Sequence, residues 1–116
     1  MSVPVDLDAL EPVVAELGPE ALLATVTADA TPHVVSVLVA WEAGVLVMGA
    51  GRRTTANLAA NPAATLVFPT VLGGGYRLIV DGTGAVDGDA LTLTPTAAIL
   101  HRVADAPGDG PTCLPV

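Results

Sequence analysis

The chain has 116 residues and a net charge of −8, built from four arginines, no lysine and twelve acids; 52% of it is hydrophobic, with one Phe, one Trp and one Tyr. That length suits one domain with a core of Val, Leu, Ala and Ile. The charge excludes a basic nucleic-acid-binding face and disfavours anionic membranes.

Residues 5–17 place Leu7, Leu10, Val13, Val14 and Leu17 at helical spacing. Asp6 or Asp8 is a candidate cap, Asp8 with Glu11 having capping-box spacing. Pro12 predicts a break, or a helix proper that starts near Glu11. Gly18-Pro19 ends it. Strand texture follows: Leu22–Thr27, a turn over 28–32, then His33–Trp41, the turn Glu42-Ala43-Gly44, and Val45–Ala50. These three strands read as a meander. Gly51–Ala60 is a short helix stopped by Asn61-Pro62. Ala64–Phe68 is a fourth strand, and Pro69–Gly75 a glycine-ended loop. Tyr76–Val86 is a long fifth strand with a bend at Gly82 or Gly84, and Asp87-Gly88 signals a hairpin into Ala90–Thr94. Past Pro95, the stretch Thr96–Arg102 is expected to make one or two helical turns. Residues 1–103 are thus one domain, and residues 104–116 a flexible tail.

Charged residues make up 14% of the chain, where about a quarter is usual. Part of the apolar surface is therefore expected to lie in an oligomer or under a ligand. Strand two carries Val34, Val35, Val37, Leu38 and Val39, apolar on both faces. In an antiparallel sheet that pattern calls for a covered outer face, and a dimer supplies one; Val37 is assigned to that outer face. Six short strands favour closure into a barrel, which removes exposed edges. Cys113 alone gives no internal disulfide, and His33 with His101 gives no zinc site of recognisable spacing. No apolar run reaches the ~18 residues of a membrane span, and no positive n-region precedes an apolar stretch. A cytoplasmic protein is expected.

The segment Gly49-Ala50-Gly51-Arg52-Arg53-Thr54-Thr55 leaves a strand and enters a helix. Unpaired N–H groups at a helix start attract anions, glycines let the backbone approach a ligand, and guanidinium groups grip phosphate in bidentate fashion. The alternative is an exposed helix start whose arginines pair with surface acids. It is not a Walker loop, since lysine and spacing are missing.

The order of elements resembles the pyridoxamine 5′-phosphate oxidase-like family of flavin-binding split barrels. The residues that carry the likeness are Leu22-Leu23-Ala24-Thr25-Val26, the Asp29–Pro32 turn, Asn57-Leu58, Asn61-Pro62 and Val80-Asp81-Gly82, over roughly residues 20–95. The resemblance implies a mainly β, six-stranded antiparallel split β-barrel (Greek key) with short flanking helices. It also implies a homodimer that binds FMN, or alternatively a deazaflavin, between subunits. The family's Ser-x-Lys-x-x-Asn-Leu phosphate stretch falls on Arg52-Arg53-Thr54-Thr55-Ala56-Asn57-Leu58, with Arg52 at the serine and Thr54 at the lysine. The implied cofactor-binding residues are Val35, Ser36 and Val37 on strand two, then Gly51, Arg52, Arg53, Thr54, Thr55 and Asn57. Few basic residues remain for a second phosphate, which argues against vitamin B6 oxidation. The function implied is hydride transfer between the cofactor and an unidentified small molecule; the alternative is a dimer that sequesters a flavin or haem without catalysis.

Of the remaining residues, His33 either sits at the cofactor or caps strand two, the cap being preferred, and Trp41 either stacks on a ring or packs in an interface, the interface being preferred. Arg77 either reaches a ligand or pairs with Asp81. His101-Arg102 either reaches a partner's phosphate site or stands in solvent. Cys113 is an incidental thiol in the tail.

Overall fold

A computed structural model describes residues 1–104. Strands β2 (Glu20–Val26), β3 (Pro32–Leu38), β4 (Ala40–Glu42), β5 (Val45–Gly49), β6 (Ala63–Val67), β7 (Arg77–Asp87) and β8 (Ala90–His101) form one antiparallel sheet ordered β3-β2-β6-β7-β8-β5-β4, with β1 (Ser2–Pro4) added along β8. A 3₁₀ turn at Leu7–Ala9 leads into α1 (Leu10–Leu17), and α2 (Arg52–Ala60) joins β5 to β6.

The expected meander does not form. The run His33–Trp41 is broken at Val39, so β3 pairs with β2 at one end of the sheet and β4 pairs with β5 at the other. Leu38 lies opposite Glu20 and Ala40 opposite Val47. Val39 is the hinge: it is buried, and its N–H bonds the Pro19 carbonyl at 2.7 Å. One strand in the sequence thus serves both ends of the sheet, curling it into a half-barrel. Counting β3 and β4 as that one strand, the six expected strands are all present.

The inner face is set by period-two burial. Ala21, Leu23 and Thr25 on β2, Leu46 and Met48 on β5, Ala64 and Leu66 on β6, and Leu78 and Val80 on β7 all point inward. Removing each leucine from water is worth about 1.5–3 kcal/mol. On β8 the inward parity is odd at Leu91 and Leu93 and even at Ala98, because a register shift opposite Asp81/Gly82 inserts one extra residue. Of Gly82 and Gly84, where a bend is expected, Gly82 lies beside this register shift. A Cβ on Gly82 would stand 2.5 Å from the Thr94 carbonyl oxygen, so only glycine lets the strands approach.

Three local expectations are corrected. Thr96–Arg102 is not helical: through His101 it continues β8, paired with Arg77–Asp81 on one side and Ser2–Pro4 on the other. That two-sided pairing outweighs the helical preference of Ala97, Ala98 and Leu100. The hairpin turn is Gly88-Asp89 rather than Asp87-Gly88, since Asp87 pairs with Ala90 and Gly88 takes the positive φ of 66°. Neither Asp6 nor Asp8 caps a helix by a side-chain hydrogen bond; α1 begins at Leu10, which puts Pro12 in its tolerant first turn. Gly18 follows Leu17 as expected. Among the described residues no helix is long and apolar enough to cross a membrane. The expected tail beyond residue 104, Cys113 included, lies outside the described residues.

Candidate functional site

The inner face of strand β3 is not sealed. His33, Val35 and Val37 are only half-buried, whereas the inward residues of β2 opposite them are buried. Val37 therefore faces inward, not outward as assigned from the sequence; the outward side chains of β3 are Val34, Ser36 and Leu38. Parity explains the correction, because neighbours on a strand take opposite faces.

A cleft of about 320 Å³ lies between the open edge of β3 and the turn from β5 into α2. His33, Val35, Ser36, Val37, Gly49, Gly51, Arg52, Arg53 and Thr54 line it. The backbone of β3 has donors and acceptors to offer there. Its bonded pairs with β2 are set by Thr27 N–H to the Thr31 carbonyl at 2.9 Å and Val39 N–H to the Pro19 carbonyl. Alternation between these two bonded ends assigns residues 33, 35 and 37 to β2. The N–H and C=O groups of Val34, Ser36 and Leu38 are then left on the open edge. Pro32, which has no N–H, falls on that same side, where proline is tolerated.

The opposite wall is equally unspent. Gly51 is the N-cap of α2 with extended backbone and no side-chain cap, so the first N–H groups of the helix have no intrahelical partner. Ala50 N–H bonds the Asp89 carbonyl at 2.8 Å and fixes the turn to the β7–β8 hairpin. Arg52 and Arg53 are exposed, and among the described residues neither forms an ion pair. Thr54, in the position where the resemblance expects lysine, is 4% exposed, so positive charge is carried by the exposed arginines just before it.

Thr55 and Asn57 are directed elsewhere. The Thr55 hydroxyl donates to the Gly51 carbonyl at 2.8 Å, closing the first turn of α2. Asn57 is buried, and its Nδ2 donates to Thr25 Oγ1 at 3.0 Å. This bond ties α2 to β2, the neighbour of β3, and so sets the width of the cleft. Of the two places the sequence left open for His33, the cleft is the one it lines, sharing odd parity with Val35 and Val37.

The other two arginines, Arg77 and Arg102, lie at the opposite end of β7 and β8. Arg77 and His101 are paired in register. The Arg102 guanidinium lies 5.4 Å from the centre of the Tyr76 ring, and its Nε donates to Met1 Sδ at 3.2 Å. The terminal amine donates to the Arg102 carbonyl at 3.2 Å, and Ser2 Oγ is 3.0 Å from His101 Nδ1. Asp81 accepts from Thr65 Oγ1 at 2.6 Å rather than pairing with Arg77.

In structure the chain is similar to known split barrels. A candidate pyridoxamine 5′-phosphate oxidase from Listeria innocua superposes with a TM-score of 0.68 at 14% identity, over 84% of this chain and 100% of that one. An F420 reductase gives 0.56 at 22% identity, over 69% and 88%. The FAD-binding protein of Mycobacterium smegmatis gives 0.63 at 13% identity, over 88% and 100%. Neither a protein-family model nor a curated protein sequence matches the chain. The fold is the split barrel that these structures share.

Proposed function

Starting from a split barrel whose open edge faces an arginine-bearing turn, we propose that this chain binds a flavin-type cofactor, FMN or alternatively a deazaflavin, in that cleft. The observation that carries the reading is the convergence of two unspent donor walls on one space. The uncapped start of α2 with Arg52 and Arg53 suits a phosphate. The free backbone groups of Val34, Ser36 and Leu38 on the open edge of β3, beside the half-buried Val35 and Val37, suit a flat ring bearing carbonyl and amide groups. Similar folds in an FAD-binding protein and an F420 reductase agree with it.

When bound, the flavin supplies the hydride chemistry, while the chain's own residues hold it and exclude water. The role proposed is a small oxidoreductase acting on an unidentified small molecule. Its working form is a homodimer joined through the outer face of β2 and β3, where Leu22, Val34 and Leu38 are 37%, 57% and 71% exposed.

The test is a titration of the purified chain with FMN and with riboflavin. FMN is expected to bind more tightly by at least tenfold, since phosphate adds charge-assisted hydrogen bonds of about 1.5–3 kcal/mol each. Equal affinity removes the phosphate assignment. Binding without turnover when reduced nicotinamide is supplied favours sequestration over catalysis, and preference for haem over both flavins overturns the reading.

A further inference from the structure

Among the described residues one buried side-chain polar atom has no hydrogen-bond partner, and it is Nδ1 of His33. The ring is half-buried in the wall of the cleft, on the unsealed inner face of β3. We propose that His33 is a positioning residue of this cleft, presenting Nε2–H as a donor to a carbonyl or ring nitrogen of the cofactor; this rests on the flavin reading above.

A neutral imidazole carries one N–H donor and one lone-pair acceptor. Nδ1 is shut off from water and lacks a partner. An orphaned buried N–H is rarer in proteins than an acceptor with a spare lone pair, so the proton belongs on Nε2. His33 lines the cleft while its Nδ1 is buried, which leaves Nε2 as the ring nitrogen to meet a ligand there. There the imidazole N–H joins the first N–H groups of α2 and the two guanidiniums. The complement to such a lining is a ligand rich in acceptors along its ring as well as at its phosphate.

The backbone of His33 is paired with Thr25 of β2, whose side chain is fixed by the bond from Asn57. The same tautomer argues against His33 as an axial ligand to haem iron. A metal-bound imidazole donates its other N–H to a partner, and Nδ1 has none.

Two measurements test the proposal. The first is long-range ¹⁵N–¹H NMR of the free, labelled protein, with the His33→Phe spectrum assigning the signals. The Nε2–H tautomer is expected, and an Nδ1–H tautomer overturns the proposal whatever the ligand is.

The second is titration of wild type, His33→Phe and His33→Gln with FMN and riboflavin. Loss of one neutral hydrogen bond predicts about fivefold weaker binding of both ligands to His33→Phe, with a shifted flavin absorbance band. His33→Gln, which keeps a donor, is expected to recover most of the affinity. An unchanged affinity and band in His33→Phe, even with a lowered Tm, overturns the positioning role and leaves the flavin reading standing. A wild type with no affinity for either flavin overturns both.

Discussion

Two places in this acidic chain each hold two of its four arginines, and Arg102 at one is used differently from Arg52 and Arg53 at the other. At the end of β7 and β8, Arg102 is spent on the protein itself: its guanidinium covers Tyr76, its Nε reaches Met1 Sδ, and its carbonyl takes the terminal amine. At the β5–α2 turn, Arg52 and Arg53 are exposed beside a helix start with no side-chain cap and a strand edge with no neighbour. Equal counts of positive charge therefore have different meanings. Arg102 helps fasten the amino terminus to the sheet. Arg52 and Arg53 border a cleft, where the proposed function puts a phosphate.

The contrast breaks most easily at the arginines. Arg52→Ala with Arg53→Ala is expected to weaken FMN on the order of a hundredfold while changing riboflavin little, because two charge-assisted bonds are lost only from the phosphate. Arg77→Ala with Arg102→Ala is expected to leave both dissociation constants unchanged. Isothermal titration of the two double variants decides it, and a comparable FMN loss in both would erase the distinction.

Removing the tie that sets the cleft comes next. Asn57→Leu leaves the Thr25 hydroxyl buried without its donor, which is expected to destabilise the fold by about 1–3 kcal/mol in urea titrations. FMN affinity should fall with it, since α2 loses its anchor to β2. Unaltered FMN binding in a destabilised variant would place the seat of α2 elsewhere, with Leu58 against Gly84 the next contact to examine.

The outer face separates from both clusters. Val34→Asp with Leu38→Asp is expected to yield monomers in sedimentation without unfolding the chain, both residues being exposed on the edge strand. A wild type that is already monomeric removes the dimer.

The fastening role of Arg102 is smaller. Arg102→Ala is expected to lower stability by about 0.5–1 kcal/mol, the value of an exposed cation–π contact, with no effect on FMN. Smallest is Ala43→Asn in the β4–β5 turn. There Ala43 has φ 51° and Gly44 φ 89°, and asparagine tolerates that conformation better. A rise in Tm of a few degrees with unchanged binding would show that the far end of the sheet is independent of the cleft.

Much of this fold was legible because alternation and turn chemistry are local. Leu22–Thr27, Val45–Ala50, Ala64–Phe68 and Tyr76–Val86 lie within a residue or two of β2, β5, β6 and β7, and Gly51–Ala60 within one residue of α2. The misreadings share one cause. Thr96–Arg102 looked helical, and residues 1–4 gave no strand signal, because each is a strand only through the other and through β7. The break at Val39 was hidden for a similar reason: nothing in an unbroken apolar run says that its two halves pair with opposite ends of one sheet. Of the candidate site residues, Val35, Ser36, Val37, Gly51, Arg52, Arg53 and Thr54 come together around one cleft. Thr55 and Asn57 turn inward to hold the helix.

The sequence by itself determined that a glycine-rich turn with paired arginines opens a short helix, since φ freedom and helix-end polarity depend on neighbours in the chain. It also carried the signals of six strands, counting β3 and β4 as one. Only the tertiary structure decided what faces that turn. A β3 with one free edge, a half-buried His33 and an inward Val37 arise from curling a sheet until its two ends approach. The approach rests on contacts between residues far apart in the chain, such as Asn57 with Thr25 and Val39 with Pro19.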